Sequence, residues 1–259
     1  MLQELRLFLT AIQFFTRIPV PAWVGHSVQQ LEQAARYFPL VGICVGALSA
    51  AALWLGAQVL PLSLAVGLSM VTGIFVTGAF HEDGLSDFVD GMGGGYTKEK
   101  VLAIMKDSRV GAYGVIALIL VLLLKYQAIM ELCAVQSPFP VIAALVAAHA
   151  ISRLMATSIM LTQRYVREDD GARAKPAAQQ ISTVSFAIAT ITGIATIGIL
   201  YTAGMQPASI IFAVAAALLM RAYLAWQLKK RLGGYTGDCL GAVQQLTELA
   251  FYLGLLINI

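Results

Sequence analysis

Charge is scarce in this sequence. Only 12% of its 259 residues are Asp, Glu, Lys or Arg, while 59% are hydrophobic; soluble domains carry roughly a quarter charged residues. That shortage excludes an ordinary water-soluble domain and points to an integral membrane protein. A net charge of +3 is too small to argue for a nucleic-acid partner. Cysteine is short too, and Cys44, Cys133 and Cys239 share no close spacing, so neither a zinc motif nor a disulfide framework is indicated. The N-terminal stretch lacks a signal-peptide layout. Glu4 and Arg6 interrupt it, and no small-residue cleavage site follows Phe15.

What is present is a series of apolar runs. Leu2, Leu5, Leu9, Ile12 and Phe15 stand at roughly helical spacing over a stretch too short to span, which predicts an amphipathic interfacial helix over 2–15. Prolines at 19 and 21 end it, and a short polar helix is expected around Gln29 to Arg36. Spans are predicted at about 39–60, 62–80, 110–130, 139–161, 181–202, 207–227 and 239–259. The basic residues fall before the first of these and after the second, fourth and sixth, leaving only Lys125, Arg153 and Arg221 elsewhere. That alternation predicts a cytoplasmic N-terminus and an external C-terminus. Lys125 and Arg221 are expected to snorkel to the external and cytoplasmic interfaces. The expected fold is all-α: a single polytopic membrane domain over 1–259, with about seven transmembrane helices and the interfacial helix.

Acidic residues number only 14, yet Glu82, Asp83, Asp87 and Asp90 crowd into one short stretch beside His81. Asp83, Asp87 and Asp90 share a helical face at i, i+4 and i+7. Like charges stacked this way call for a cation, and hard oxygen ligands without cysteine favour Mg²⁺, Mn²⁺ or Ca²⁺. A solvated acidic helix start is the plainer alternative. Gly84, Gly91, Gly93, Gly94 and Gly95 are expected to loosen the backbone into a phosphate-approaching loop. The segment after it offers Lys106 and Arg109 as phosphate donors, with Asp107 to orient them or bind metal. Arg153 and His149 lie four residues apart inside a span, where charge normally faces a cavity or a partner. Glu248 in the last span is either a structural partner or functional, and Asp238 either caps that span or contacts substrate. Spacing thus predicts metal-assisted transfer of a phosphate-containing group to a hydroxyl, with His81 or a carboxylate accepting the proton.

The motifs themselves are similar to a known family. Phe15-Thr-Arg-Ile-Pro-Val-Pro21, Arg36-Tyr-Phe-Pro-Leu-Val-Gly42, Gly78-Ala-Phe-His-Glu-Asp-Gly-Leu-Ser-Asp-Phe-Val-Asp-Gly91, Met105-Lys-Asp-Ser-Arg-Val-Gly-Ala-Tyr-Gly114 and Gly233-Gly-Tyr-Thr-Gly-Asp238 resemble the adenosylcobinamide-GDP ribazoletransferases, the cobalamin synthases, nearly end to end. The resemblance implies an inner-membrane, Mg²⁺-dependent enzyme with its active site facing the cytoplasm. It would join adenosylcobinamide-GDP to α-ribazole or its 5′-phosphate and release GMP. It implies His81, Lys106, Asp107 and Arg109 as catalytic residues and Glu82, Asp83, Asp87 and Asp90 at the metal. Arg17, Ser108, Arg153, Tyr235, Thr236 and Asp238 would bind substrate. The expected partners are these small molecules and membrane lipid, without nucleic acid; a homo-oligomer or association with other late cobalamin-pathway enzymes is compatible with it. Two other classes compete. A CDP-alcohol phosphotransferase also uses spaced Asp residues, but its Asp-Gly is followed by Ala-Arg, whereas Asp90-Gly91 here precedes Met-Gly-Gly-Gly. A transporter would use Arg153, His149 and Glu248 as a relay, yet the polar residues gather at one face.

Overall fold

The computed structural model describes residues 2–25, 27–166 and 180–257, and the regular elements within them are helical. In order they are α1 (Leu2–Phe15), α2 (Val28–Ala34), α3 (Phe38–Gly56), α4 (Leu62–Thr77), α5 (Phe80–Gly94), α6 (Lys98–Met105), α7 (Ala112–Val135), α8 (Pro138–Thr162), α9 (Thr183–Thr202), α10 (Pro207–Arg231) and α11 (Gly237–Leu255). Prolines sit in the first turns of α3, α8 and α10, where the missing N–H would have no helical partner anyway. Ser27, Thr97, Ser182 and Thr236 cap α2, α6, α9 and α11 through side-chain oxygens.

A helix occupies each expected span, but their characters differ. Among the described residues five are long and apolar enough to cross a bilayer, one of them running from Val28 through α3, and α4 with α5 makes a sixth only as a pair bent by 87°. The expected count of seven is therefore not reached by length and apolarity. α4 has only 16 residues before the bend, and α11, the helix of the seventh expected span, turns a polar face inward. α1 has the bounds predicted for it, but its packed face is Leu7, Thr10, Ala11, Ile12 and Phe15. Leu2 and Leu5 point away, 77% and 48% exposed. The apolar stripe read from spacing is thus split between a packed and an open side.

α8 is the central post, packed on α3, α9 and α11 and largely buried. On α3, Gly42 and Gly46 stand four apart and face α8. A Cβ on Gly46 would lie 2.8 Å from the Val146 Cα, and one on Gly42 would meet the His149 carbonyl. Small residues at this spacing let two helices approach backbone to backbone in lipid.

The break between α4 and α5 positions everything that follows. Gly78 and Ala79 both adopt left-handed backbone, φ 63° and 57°, and the Ala79 amide bonds the Ile74 carbonyl at 2.9 Å, closing α4. The Arg17 amide donates to the Val76 carbonyl at 2.7 Å, so the turn after α1 clamps the bend. The glycines expected to form a loop do something different: Gly84, Gly91, Gly93 and Gly94 lie within α5. A Cβ on Gly84 would sit 3.0 Å from the Asp238 carbonyl and 3.3 Å from the Gly241 Cα, and one on Gly91 would meet Met105 Cγ at 2.6 Å. They let α11 and α6 close on α5.

Candidate active site

The four carboxylates of α5 point to different places. Asp83 is exposed, Asp87 half-buried and Asp90 buried. Both Asp90 oxygens are committed: Oδ2 accepts from the Gly111 amide at 2.7 Å and Oδ1 from the Gly114 amide at 2.9 Å. Asp90 therefore caps the N-terminus of α7 from another helix, where orphan amides and a positive dipole end welcome a carboxylate. Gly111 and Gly114 lack side chains because Asp90 and Ser86 fill that space. Glu82 faces inward, its Oε1 accepting from Gln245 at 2.8 Å and its Oε2 buried without a partner.

These positions do not form a four-carboxylate metal cluster, and among the described residues no three His, Cys, Asp or Glu side chains converge as one. Asp83 and Asp87, one turn apart on the accessible side of α5, fit the habit of Mg²⁺ to bind through one or two carboxylates and substrate phosphates.

Inside the bundle lies a cavity of about 440 Å³ walled by α3, α4, α5, α7, α8 and α11. Its charges are linked. Lys125 Nζ is 3.1 Å from Glu248 Oε1 and donates to Gln245 Oε1 at 2.7 Å; Gln244 donates to Glu248 Oε2 at 2.6 Å and to Ser152 at 3.0 Å. Arg153 Nη1 donates to the His149 carbonyl at 2.9 Å, and His149 Nδ1 lies 3.7 Å from Glu248 Oε2. Lys125 is thus buried, 6% exposed, and not snorkelling outward as expected. α7 runs on to Val135, beyond the predicted end near 130, which moves Lys125 to mid-helix. Removing charges from water is costly unless they are paired and hydrogen-bonded, and this network meets most of that demand. Arg153 Nε and Gln244 Oε1 remain without partners.

Arg153, Gln244 and His81 also wall a second, mainly apolar cavity of about 540 Å³. His81 stacks on Phe15, centroids 5.4 Å apart and planes 10° off parallel. The three side chains form the partition between a polar and an aromatic chamber.

The model of the cobalamin-5-phosphate synthase family matches residues 7–256. The chain belongs to that family. It is 47% identical to an adenosylcobinamide-GDP ribazoletransferase of Shewanella frigidimarina, over 98% of this chain and 95% of the relative. It is 46% identical to one of Leptothrix cholodnii, over 100% and 98%. No solved structure matches it. The matched residues include the lining of both cavities.

The remaining sequence candidates lie farther out. Asp107 and Arg109 pair with each other: the guanidinium donates to both carboxylate oxygens, with Nη2 at 2.6 Å. These hydrogen bonds lower the Asp107 carboxyl to about 2. Lys106 ends α6 and Ser108 lies in the same turn. Tyr235 is fully buried, its backbone paired with Arg164 and Val166, which gives it a structural place at the foot of α11. Thr236, and not Asp238, is that helix's cap. Arg17 lies over the α4–α5 bend. Arg231 donates to the Gly95 carbonyl at 2.5 Å, closing the C-terminus of α5. Arg167, Arg173 and Lys175, read from the sequence as cytoplasmic charges, lie outside the described residues.

Lys125, Gln244, Gln245 and Tyr252, which line the polar cavity, and Ser152, which accepts from Gln244, are not among the site residues expected from the sequence. The available signal was Gln244 with Glu248 at i, i+4 inside an otherwise apolar helix.

Proposed function

We propose that this protein is an adenosylcobinamide-GDP ribazoletransferase, acting in the late assembly of cobalamin. The observation that carries the reading is identity of 47% along essentially the whole chain to a relative of that name. In the reaction, the hydroxyl oxygen of α-ribazole or its 5′-phosphate forms a bond to the phosphorus borne by cobinamide. The bond from that phosphorus to the GMP oxygen breaks, and GMP leaves with the electron pair. The hydroxyl proton passes to His81, the imidazole that lines both chambers.

Asp83 and Asp87 are the residues that would hold Mg²⁺, which supplies charge neutralisation to a diphosphate. Lys106 and Arg109 follow in the connection before α7, where cationic side chains can meet phosphate oxygens entering from water. We place the protein in the cell inner membrane with Asp83, Asp87 and the α5–α7 connection on the cytoplasmic side, because the basic connections cluster there. The reading is tested by GMP release from adenosylcobinamide-GDP and α-ribazole in reconstituted vesicles, with and without Mg²⁺. Release that needs Mg²⁺ and falls at least about 100-fold in Asp83→Asn and Asp87→Asn, about 2.7 kcal/mol of lost transition-state stabilisation, is expected. Absence of GMP release by wild type would remove the reading, and full activity in both variants would remove the metal assignment. CMP release from CDP-diacylglycerol would instead favour a lipid phosphotransferase.

A further inference from the structure

The aromatic chamber has a composition unlike that of a bundle core. Phe14 and Phe15 of α1, Phe38 at the start of α3 and Phe80 at the start of α5 come together there, with Tyr165 across from them. Their rings meet edge-on, Phe15 to Phe38 at 4.5 Å and Phe14 to Phe80 at 5.2 Å, and Phe80 is 39% exposed. At the inner wall stand Arg153 and Gln244, 2% and 1% exposed, each with one buried atom unpartnered: a donor, Nε, and an acceptor, Oε1. Buried polar atoms left without partners are costly, and a ligand hydroxyl, which both accepts and donates, can answer either of them.

We propose that this chamber is the acceptor-nucleoside site. The benzimidazole base of α-ribazole lies among the phenylalanines, and a ribose hydroxyl meets Arg153 and Gln244. The assignment rests on the ribazoletransferase reading and adds which substrate takes which chamber. A mainly apolar lining with a few convergent polar groups is the usual make-up of a small-molecule site. Guanine is also flat, but its several hydrogen-bonding edge groups would go unmatched against an apolar lining. A dimethylated benzimidazole presents an apolar edge instead. An acyl chain would suit the rings but leave Arg153 and Gln244 unanswered.

The test uses the full chain in nanodiscs and begins with wild type. Free 5,6-dimethylbenzimidazole is expected to inhibit GMP release competitively against α-ribazole and non-competitively against adenosylcobinamide-GDP. The reverse pattern overturns the proposal. Two variants follow: Ala156→Phe, which fills the chamber from α8, and Phe14→Leu, which removes one half-buried ring. Each is expected to raise KM for α-ribazole, about tenfold for Ala156→Phe, equivalent to about 1.4 kcal/mol. KM for adenosylcobinamide-GDP should stay within about twofold. An increase in KM for the GDP substrate instead, or no change in either constant in a folded variant, overturns the site. Should Ala156→Phe fail to fold, Phe14→Leu decides. Absence of GMP release by wild type would instead count against the ribazoletransferase reading itself.

Discussion

At the scale of single residues, the four acidic side chains of α5 separate into different physical roles, and the separation can be measured. Asp90 serves two backbone amides at the head of α7, so Asp90→Ala should lower unfolding stability by about 2 kcal/mol. Asp83→Ala, at an exposed position, should leave stability within about 0.5 kcal/mol and reduce GMP release. Thermal unfolding in detergent followed alongside turnover distinguishes the two; equal melting points would refute the capping role. The helical spacing was legible in the sequence. What it could not reveal is that the third carboxylate finds Gly111 and Gly114 across a connection, since capping between elements leaves no local pattern. Lys125 makes the same point more sharply. It reads as a residue near a span's end, yet it is paired with Glu248 at 3.1 Å. Glu248→Leu leaves a buried ammonium without its counter-charge and should cost about 3–5 kcal/mol, while Lys125→Met with Glu248→Leu should recover most of that loss. A double-mutant cycle on unfolding free energy checks this, and additive losses would show that the pair is not coupled.

At the scale of elements, the site exists because helices meet at glycine. α3 reaches α8 through Gly42 and Gly46, and α11 reaches α5 through Gly84 and Gly241. The α3–α8 contact places His149 and Arg153 of α8 at the cavity, and the α5–α11 contact brings Glu82 to Gln245. Gly46→Leu would drive a side chain into backbone only 2.8–2.9 Å from its Cβ, and neither helix can yield without moving the cavity wall. Overpacking of this kind costs about 1–3 kcal/mol. The variant should therefore lower the melting temperature and, through displaced Arg153, raise KM for a substrate. Gly67→Leu, where a Cβ meets nothing within 4 Å, should do neither, and the comparison of both variants by melting and kinetics checks the assignment. Glycine content reads locally as looseness. Its use as a packing surface appears only once the helices are paired, which explains why α5 was expected to unravel and instead runs unbroken to Gly94.

At the scale of the whole molecule, the sequence's one long-range signal was where its positive charges fall, and it foretells an orientation. The connection between α3 and α4 carries no Lys or Arg, whereas the stretch from α5 to α7 carries Lys98, Lys100, Lys106 and Arg109. Positive connections are retained on the cytoplasmic side, which predicts that the two face opposite compartments even though α4 is short and α5 bends away at 87°. Val59 and Tyr96 report the two sides well, being 80% and 94% exposed. The native thiols Cys44 and Cys133 are half-buried and Cys239 is buried, which keeps the labelling background low. In right-side-out vesicles, a membrane-impermeant maleimide should label Val59→Cys and spare Tyr96→Cys; inverted vesicles should reverse the pattern. Labelling of both from one side would mean that α4 with α5 re-enters the membrane without crossing it. That outcome would put Asp83 and Asp87 on the face opposite to the one from which a cytoplasmic nucleotide substrate arrives, or require α3 to lie differently. The charge pattern, the bend and the position of the carboxylates are therefore not three independent features. On the proposed orientation, a single crossing of α3 and return of α4 would deliver the acidic face of α5, the Asp107–Arg109 turn and the mouth of α11 to one aqueous side, and the labelling pair tests that delivery directly.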